Sequence, residues 1–227
     1  MNDYSPRSML IRAMRNESDN KPRSKQVEIG PSSVYSCRRQ IWHNVNQTPK
    51  TNRQINILPS LIGTWIHEGI AKAIISQDPF GDNFLIEESA QIGDLPGHID
   101  LYVENVAVVV DWKTSTKSKL KGKYFPSVNY IGQAQIYAYL LKHDKGKDVK
   151  QIAIVGVPRD GGIEDIVEFI ADYDEEVALA AIAWLDAAKS AVEKPQPEMF
   201  VTFCSGYCPF FDESGEIGCP GIPKSKK

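Results

Sequence analysis

The chain has 227 residues and 25.3 kDa, 42% of them apolar and 24% charged, with 26 basic and 29 acidic side chains. This excludes a disordered polypeptide and leaves room for one domain with a sizeable core. The longest apolar run, Val177–Leu185, is under half the roughly 20 residues of a membrane span.

In chain order, residues 1–28 are polar and weakly periodic, so residues 1–30 are expected as an N-terminal arm or a poorly packed helix. They lack the apolar block of a secretory signal. A cytoplasmic location, with no membrane partner, is therefore expected. Pro31-Ser32-Ser33 is a helix start, and Val34–Val45 follows as a short helix with Cys37, Arg38, Arg39 and Trp42. Pro59-Ser60 opens a second helix running to about Ser76. Phe84–Ile92, Gly97–Val103 and Val106–Trp112 read as strands, the last two joined by a tight turn at Glu104-Asn105. A lysine-rich loop leads to a helix over Val128–His143, then a strand at Gln151–Pro158 and an alanine-rich helix at Asp174–Glu193. From Pro195 onward, Pro, Gly, Cys and aromatics replace periodicity. The expectation is one mixed α/β domain whose two flanks meet in space.

Charge is segregated along the chain. Residues 1–60 carry ten Lys/Arg and four Asp/Glu, whereas residues 160–220 carry two and fourteen. A polyanion partner on one side and a solvated acidic face elsewhere would account for this. Lys117, Lys119, Lys121 and Lys123 crowd one polar stretch.

The chemistry concentrates between residues 97 and 113. With a two-residue turn, Asp100 faces Val109, and Asp100, Asp111 and Lys113 share one sheet face. The two aspartates become diagonal neighbours about 7–8 Å apart at the backbone. Hard oxygen donors at that span suit Mg²⁺ or Mn²⁺, and a lysine two residues on can contact phosphate or a water. The same pattern is also compatible with a solvated sheet face. Gly63 and His67 are spaced i,i+4 on the second helix, where His67 is either a metal ligand or a core histidine. Gln133/Tyr137 and Gln135/Tyr139 share that spacing on the third helix, and the sequence leaves open which pair faces the site.

Taken in order, these segments resemble the RecB-like nucleases of the PD-(D/E)XK superfamily, with their G-x-x-x-H, G-x-x-D, (D/E)-x-K and Q-x-x-x-Y motifs. They stand here as Gly63 to His67, Gly97 to Asp100, Asp111-Trp112-Lys113 and Gln133 to Tyr137. One departure is Asp111, where this branch more often has Glu. The resemblance implies a restriction-endonuclease-like core. It implies a divalent ion held by His67, Asp100, Asp111 and the Trp112 carbonyl. Lys113 would serve the attacking water, and Gln133 and Tyr137 would steady the lysine and the strand being cut.

Cys204, Cys208 and Cys219 cluster within sixteen residues, and Cys37 stands apart. By spacing, four thiolates suit structural zinc or a 4Fe–4S cluster. The order of one cysteine before the core and three after it is similar to the iron–sulfur, CRISPR-associated Cas-four branch, phage versions included. So are the S-S-V-Y-S-C-R-R segment and the C-x₃-C-P-F-F…G-C-P-G tail. That resemblance implies a 4Fe–4S cluster clamping the flanks and a nuclease unit at 31–221 with its iron–sulfur segment at 195–221, followed by a basic tail at 222–227. It also implies exonuclease action on single-stranded DNA in recombination, repair or CRISPR adaptation, with proteins of those systems or a second copy as further partners. Arg38, Arg39 and the four lysines are then backbone contacts, and Tyr124, Phe125 or Trp42 stacking platforms.

Overall fold

A computed structural model describes residues 5–20, 29–52, 55–78, 81 and 83–223. The sheet has five strands in the order β1-β2-β3-β4-β5: β1 Phe84–Ile92, β2 Leu95–Val103, β3 Val108–Ser115, β4 Gln151–Pro158 and β5 Val167–Asp172. All neighbours are antiparallel except β3 and β4. That parallel pair needs a crossover, supplied by α4 (Lys117–Leu120) and α5 (Val128–Lys145).

Seven helices surround the sheet among the described residues. The others are α1 (Pro6–Asn20), α2 (Arg38–Val45), α3 (Leu58–Ile75), α6 (Glu175–Lys189) and α7 (Val201–Tyr207). The 3₁₀ turn Pro31–Ser33 precedes α2, so the helix expected from Val34 begins at Arg38. Short α4, β5 and α7 were not anticipated, and α4 replaces the first turn of the lysine loop. Within the arm, α1 is helical without a buried residue, and Glu17 accepts the Trp65 indole N–H of α3 at 2.9 Å.

Two apolar clusters lie on opposite sides of the sheet. On one side, α5 is buried around most of its circumference, and the alanine face of α6 (Ala178, Ala181, Leu185, Ala188) lets that helix approach closely. On the other, Ile70 and Ile74 of α3 cover Leu101, Val110, Trp112 and Ala153. Gly146, left-handed at φ +65°, ends α5 by donating its N–H to Leu141.

The β2–β3 connection is longer than expected. A 3₁₀ turn at Glu104–Val106 and left-handed Ala107 (φ +57°) place Val103 opposite Val108 and Leu101 opposite Val110. The register therefore moves by two residues. Side-chain faces are unchanged, because the strand period is two, but the ladder, carried one step past Leu101↔Val110, puts Asp100 opposite Asp111 instead of diagonal to it.

Alternation also breaks at Asp100. Ile99 and Tyr102 face the α5 side, whereas Leu101 faces α3. On the neighbouring strand Glu87 takes a left-handed conformation (φ +54°) and leaves the ladder between Ile86↔Leu101 and Glu88↔Ile99. Asp100 thus sits on a twist where both sides of the sheet are reachable.

The flanks meet. Arg38 N–H donates to Glu198, Arg39 to the Pro195 carbonyl and Asn52 to the carbonyls of Ser205, Cys208 and Pro209. Ile222 pairs with Phe200, so this end of the expected tail is tied in. Lys224, Lys226 and Lys227 fall outside the described residues.

Candidate active site

Asp100, Asp111, Lys113, Gln133, Tyr137 and His67 line one open cleft. β3 supplies Asp111 and Lys113 two residues apart on one face. Lys113 Nζ donates to Asp111 Oδ1 at 2.9 Å and to Gln133 Oε1 at 2.9 Å. Gln133 Nε2 passes the chain on to the Tyr137 hydroxyl at 2.8 Å. The Lys113 ammonium also lies 5.1 Å over the Tyr130 ring, a contact that sequence pattern did not single out.

Gln135 turns away. It bridges the Asp172 carbonyl and the Asp174 N–H, and Tyr139 packs on His143. The Gln133/Tyr137 pair therefore faces the cleft.

Asp100 joins the two sides. Its Oδ2 accepts the Trp112 N–H at 3.0 Å, and its Oδ1 lies 3.5 Å from His67 Nδ1. The Trp112 indole points away into the α3-side cluster, edge-on to His67. Two glycines allow this assembly. A Cβ on Gly97 would stand 2.3 Å from the Leu140 Cδ1 methyl and 3.4 Å from Tyr137, so any other residue there would force Leu140 of α5 to move. A Cβ on Gly63 would stand 3.3 Å from Thr114 Oγ1, beside Lys113.

Burial pushes the Asp111 carboxyl up to about 6, against the pull of Lys113 and with a further push from Asp100. Asp111 Oδ2 also lies 2.7 Å from Lys113 Nζ, so the ammonium bridges both carboxylate oxygens. The Asp100 and Asp111 carboxylates and the His67 imidazole are donor types that a hard divalent cation takes. Among the described residues no three His, Cys, Asp or Glu side chains are grouped closely enough to hold one ion.

The side chains expected to contact DNA lie outside the lining of this cleft. Lys117 and Lys121 pair with Asp165, whose carboxyl they pull well below the usual range. Lys123 covers Tyr124, and none of the four lysines, Lys119 included, lines the cleft. Arg38 is engaged by Glu198 and Trp184, and Arg39 braces the Pro195 segment. Of the aromatics, Phe125 packs on the core, Lys194 lies over Trp42, and Tyr124 is 78% exposed. The cleft carries Lys72 and Lys145, the latter paired with Glu88 at 3.0 Å. Lys72 follows the cleft-lining Glu68 by four residues on α3, a helical spacing visible in the sequence.

The four cysteines are free and line one small cavity, with His43 among its other walls. Burial pushes the Cys208 thiol up to about 11 and Cys204 upward, with neighbouring cysteines adding to both. Gly221 N–H donates to Cys219 Sγ at 3.4 Å.

A family model described as the PD-(D/E)XK nuclease superfamily matches residues 61–212, which hold all four motifs. The chain belongs to this superfamily. No curated protein matches it in sequence. Among solved structures, one described as SSO0001 is 17% identical over 92% of this chain and 95% of its own, with a TM-score of 0.57. An alkaline exonuclease from Laribacter hongkongensis is 11% identical over 73% of this chain and 88% of its own, with a TM-score of 0.50, and has also been solved with dAMP. At these identities the likeness is one of fold. Among the described residues, no helix is long and apolar enough to cross a membrane.

Proposed function

We propose that this PD-(D/E)XK protein is a Mg²⁺- or Mn²⁺-dependent exonuclease cutting single-stranded DNA ends, of the iron–sulfur Cas-four type. The observation that carries the reading is the unbroken chain Asp111–Lys113–Gln133–Tyr137, facing Asp100 and His67 in an open cleft. A divalent cation that draws Asp100, Asp111 and His67 together, with the Trp112 carbonyl, would supply positive charge to the phosphate and acidify a water. Lys113, held by Asp111 and Gln133, presents its remaining donor capacity to the phosphate oxygens that gain charge as the P–O bond breaks. Tyr137 and Gln133 keep that ammonium from swinging away. Lys72 on the wall meets the backbone of the strand.

The exonuclease element draws support from the alkaline exonuclease that shares the fold. The preference for single strands and a role in recombination, repair or CRISPR adaptation rest on the motif resemblance. Four free thiols around one cavity, three of them buried and Cys37 half-buried, support a resident group with four thiolate ligands, and the cysteine order favours 4Fe–4S over zinc. Such a group would clamp α2 to the C-terminal segment.

The test is Mn²⁺-dependent release of nucleotides from 5′- and 3′-labelled single strands. Asp111→Asn and Lys113→Ala should each lose about 100-fold or more, with DNA binding kept. Cleavage retained in both overturns the assignment. Anaerobically purified protein should be brown with about four irons per chain, and a colourless, zinc-loaded protein overturns the cluster.

A further inference from the structure

One side chain in the thiol cavity is needed by no ligand set. His43, on α2 six residues after Cys37, is fully buried (0% exposed) and lines the same cavity as the four cysteines. Its Nδ1 meets Thr48 Oγ1 at 3.0 Å, and its Nε2 is buried without a partner. The ring stacks on Phe210, centroids 5.2 Å apart at 18°, and meets Trp42 edge-on at 5.3 Å. Held between these rings, the imidazole has little freedom to turn Nε2 elsewhere.

Burial, with the nearby charges of Lys194 and Arg39, holds His43 down at about 4. The ring is therefore neutral near pH 7 and carries one N–H. A Thr48 hydroxyl donating to Nδ1 places that proton on Nε2. Four thiolates already complete the ligands of a 4Fe–4S cluster or a structural zinc, so no position remains for a fifth. Anionic sulfur, in contrast, accepts hydrogen bonds, as Cys219 Sγ does from Gly221. We infer that His43 Nε2–H donates to a sulfur of the cofactor held by Cys37, Cys204, Cys208 and Cys219, with Thr48 selecting the tautomer. His43 is thus a positioning and tuning residue of that centre. The inference rests on the four-thiolate iron–sulfur reading above.

The experiment compares full-length wild type, His43→Phe, His43→Gln and Thr48→Val, all purified anaerobically. Readouts are iron content, the midpoint potential from an optical redox titration, and the rate of bleaching by a chelator in air. Losing a donor to sulfur disfavours the reduced, more negative state. His43→Phe should keep its iron, titrate at a lower potential and bleach about 10-fold faster. His43→Gln, which restores an N–H, should move back toward wild type. Thr48→Val should shift the potential less, in the same direction. An iron-loaded His43→Phe protein with wild-type potential and bleaching overturns this inference alone. If that variant does not fold, an unshifted Thr48→Val protein overturns it. Wild-type protein without iron overturns the cluster reading and this inference with it.

Discussion

The Asp100 carboxylate accepts the Trp112 backbone N–H at 3.0 Å through Oδ2 while its Oδ1 faces His67 at 3.5 Å. One side chain therefore satisfies a buried donor of β3 and presents its other oxygen to the cleft. Asp100→Ala should lose about 1–3 kcal/mol of stability through the orphaned N–H, together with activity. Asp100→Asn keeps an acceptor for Trp112 but loses the charge. It should stay within about 1 kcal/mol of wild type and still be inactive. Urea denaturation beside the nuclease assay separates the two.

Divalent-metal binding should weaken as pH falls through about 6, the value to which burial pushes Asp111. Its folded value lies above the unfolded one, so folding favours the protonated carboxyl. That contribution to stability is lost as pH rises through 6. A cation must displace the proton below this point and meets a ready carboxylate above it. Mg²⁺ or Mn²⁺ should raise the thermal midpoint clearly at pH 7.5 and little at pH 5, and not at all in Asp111→Asn.

Gly97→Ala should destabilise by about 1–3 kcal/mol, because its Cβ would overlap Leu140 on α5. Gly63→Ala meets only the Thr114 hydroxyl, which can turn aside, and should cost less. Midpoints of chemical denaturation give the order; a Gly97→Ala protein as stable as wild type would contradict the helix placement.

DNA affinity should follow the lysines of the cleft. Lys72→Ala should weaken single-strand binding and reduce the slope of log K against log salt by about 0.7. Lys121→Ala, whose ammonium is engaged by Asp165 on α4's outer side, should change that slope much less. Titrations by fluorescence anisotropy at several salt concentrations would show whether the cleft or the α4 lysines carry the strand.

Much of the site was legible because its spacing is local. D-x-K on a strand puts Asp111 and Lys113 on one face, and Gln133 and Tyr137 stack by helical period whatever the rest of the chain does. The α3 pattern even marked Gly63 as the point of close approach. The Glu104–Ala107 turn was misjudged by two residues, since a 3₁₀ turn with a left-handed alanine leaves no Gly or Asn-Gly signature. One-dimensional charge density does not reveal that Asp165, more than forty residues on, lies against Lys117 and Lys121.

The charge balance and the four motifs follow from the chain alone, since composition and short-range periodicity are properties of neighbours in sequence. Tertiary docking decided the rest. It selected Gln133 over Gln135 by which face of α5 lies over β3. It set Asp100 opposite Asp111 through the hairpin register, and it carried Cys37 and His43 to three cysteines over 160 residues away. Such contacts depend on how whole elements bury their faces against each other, which no local spacing encodes.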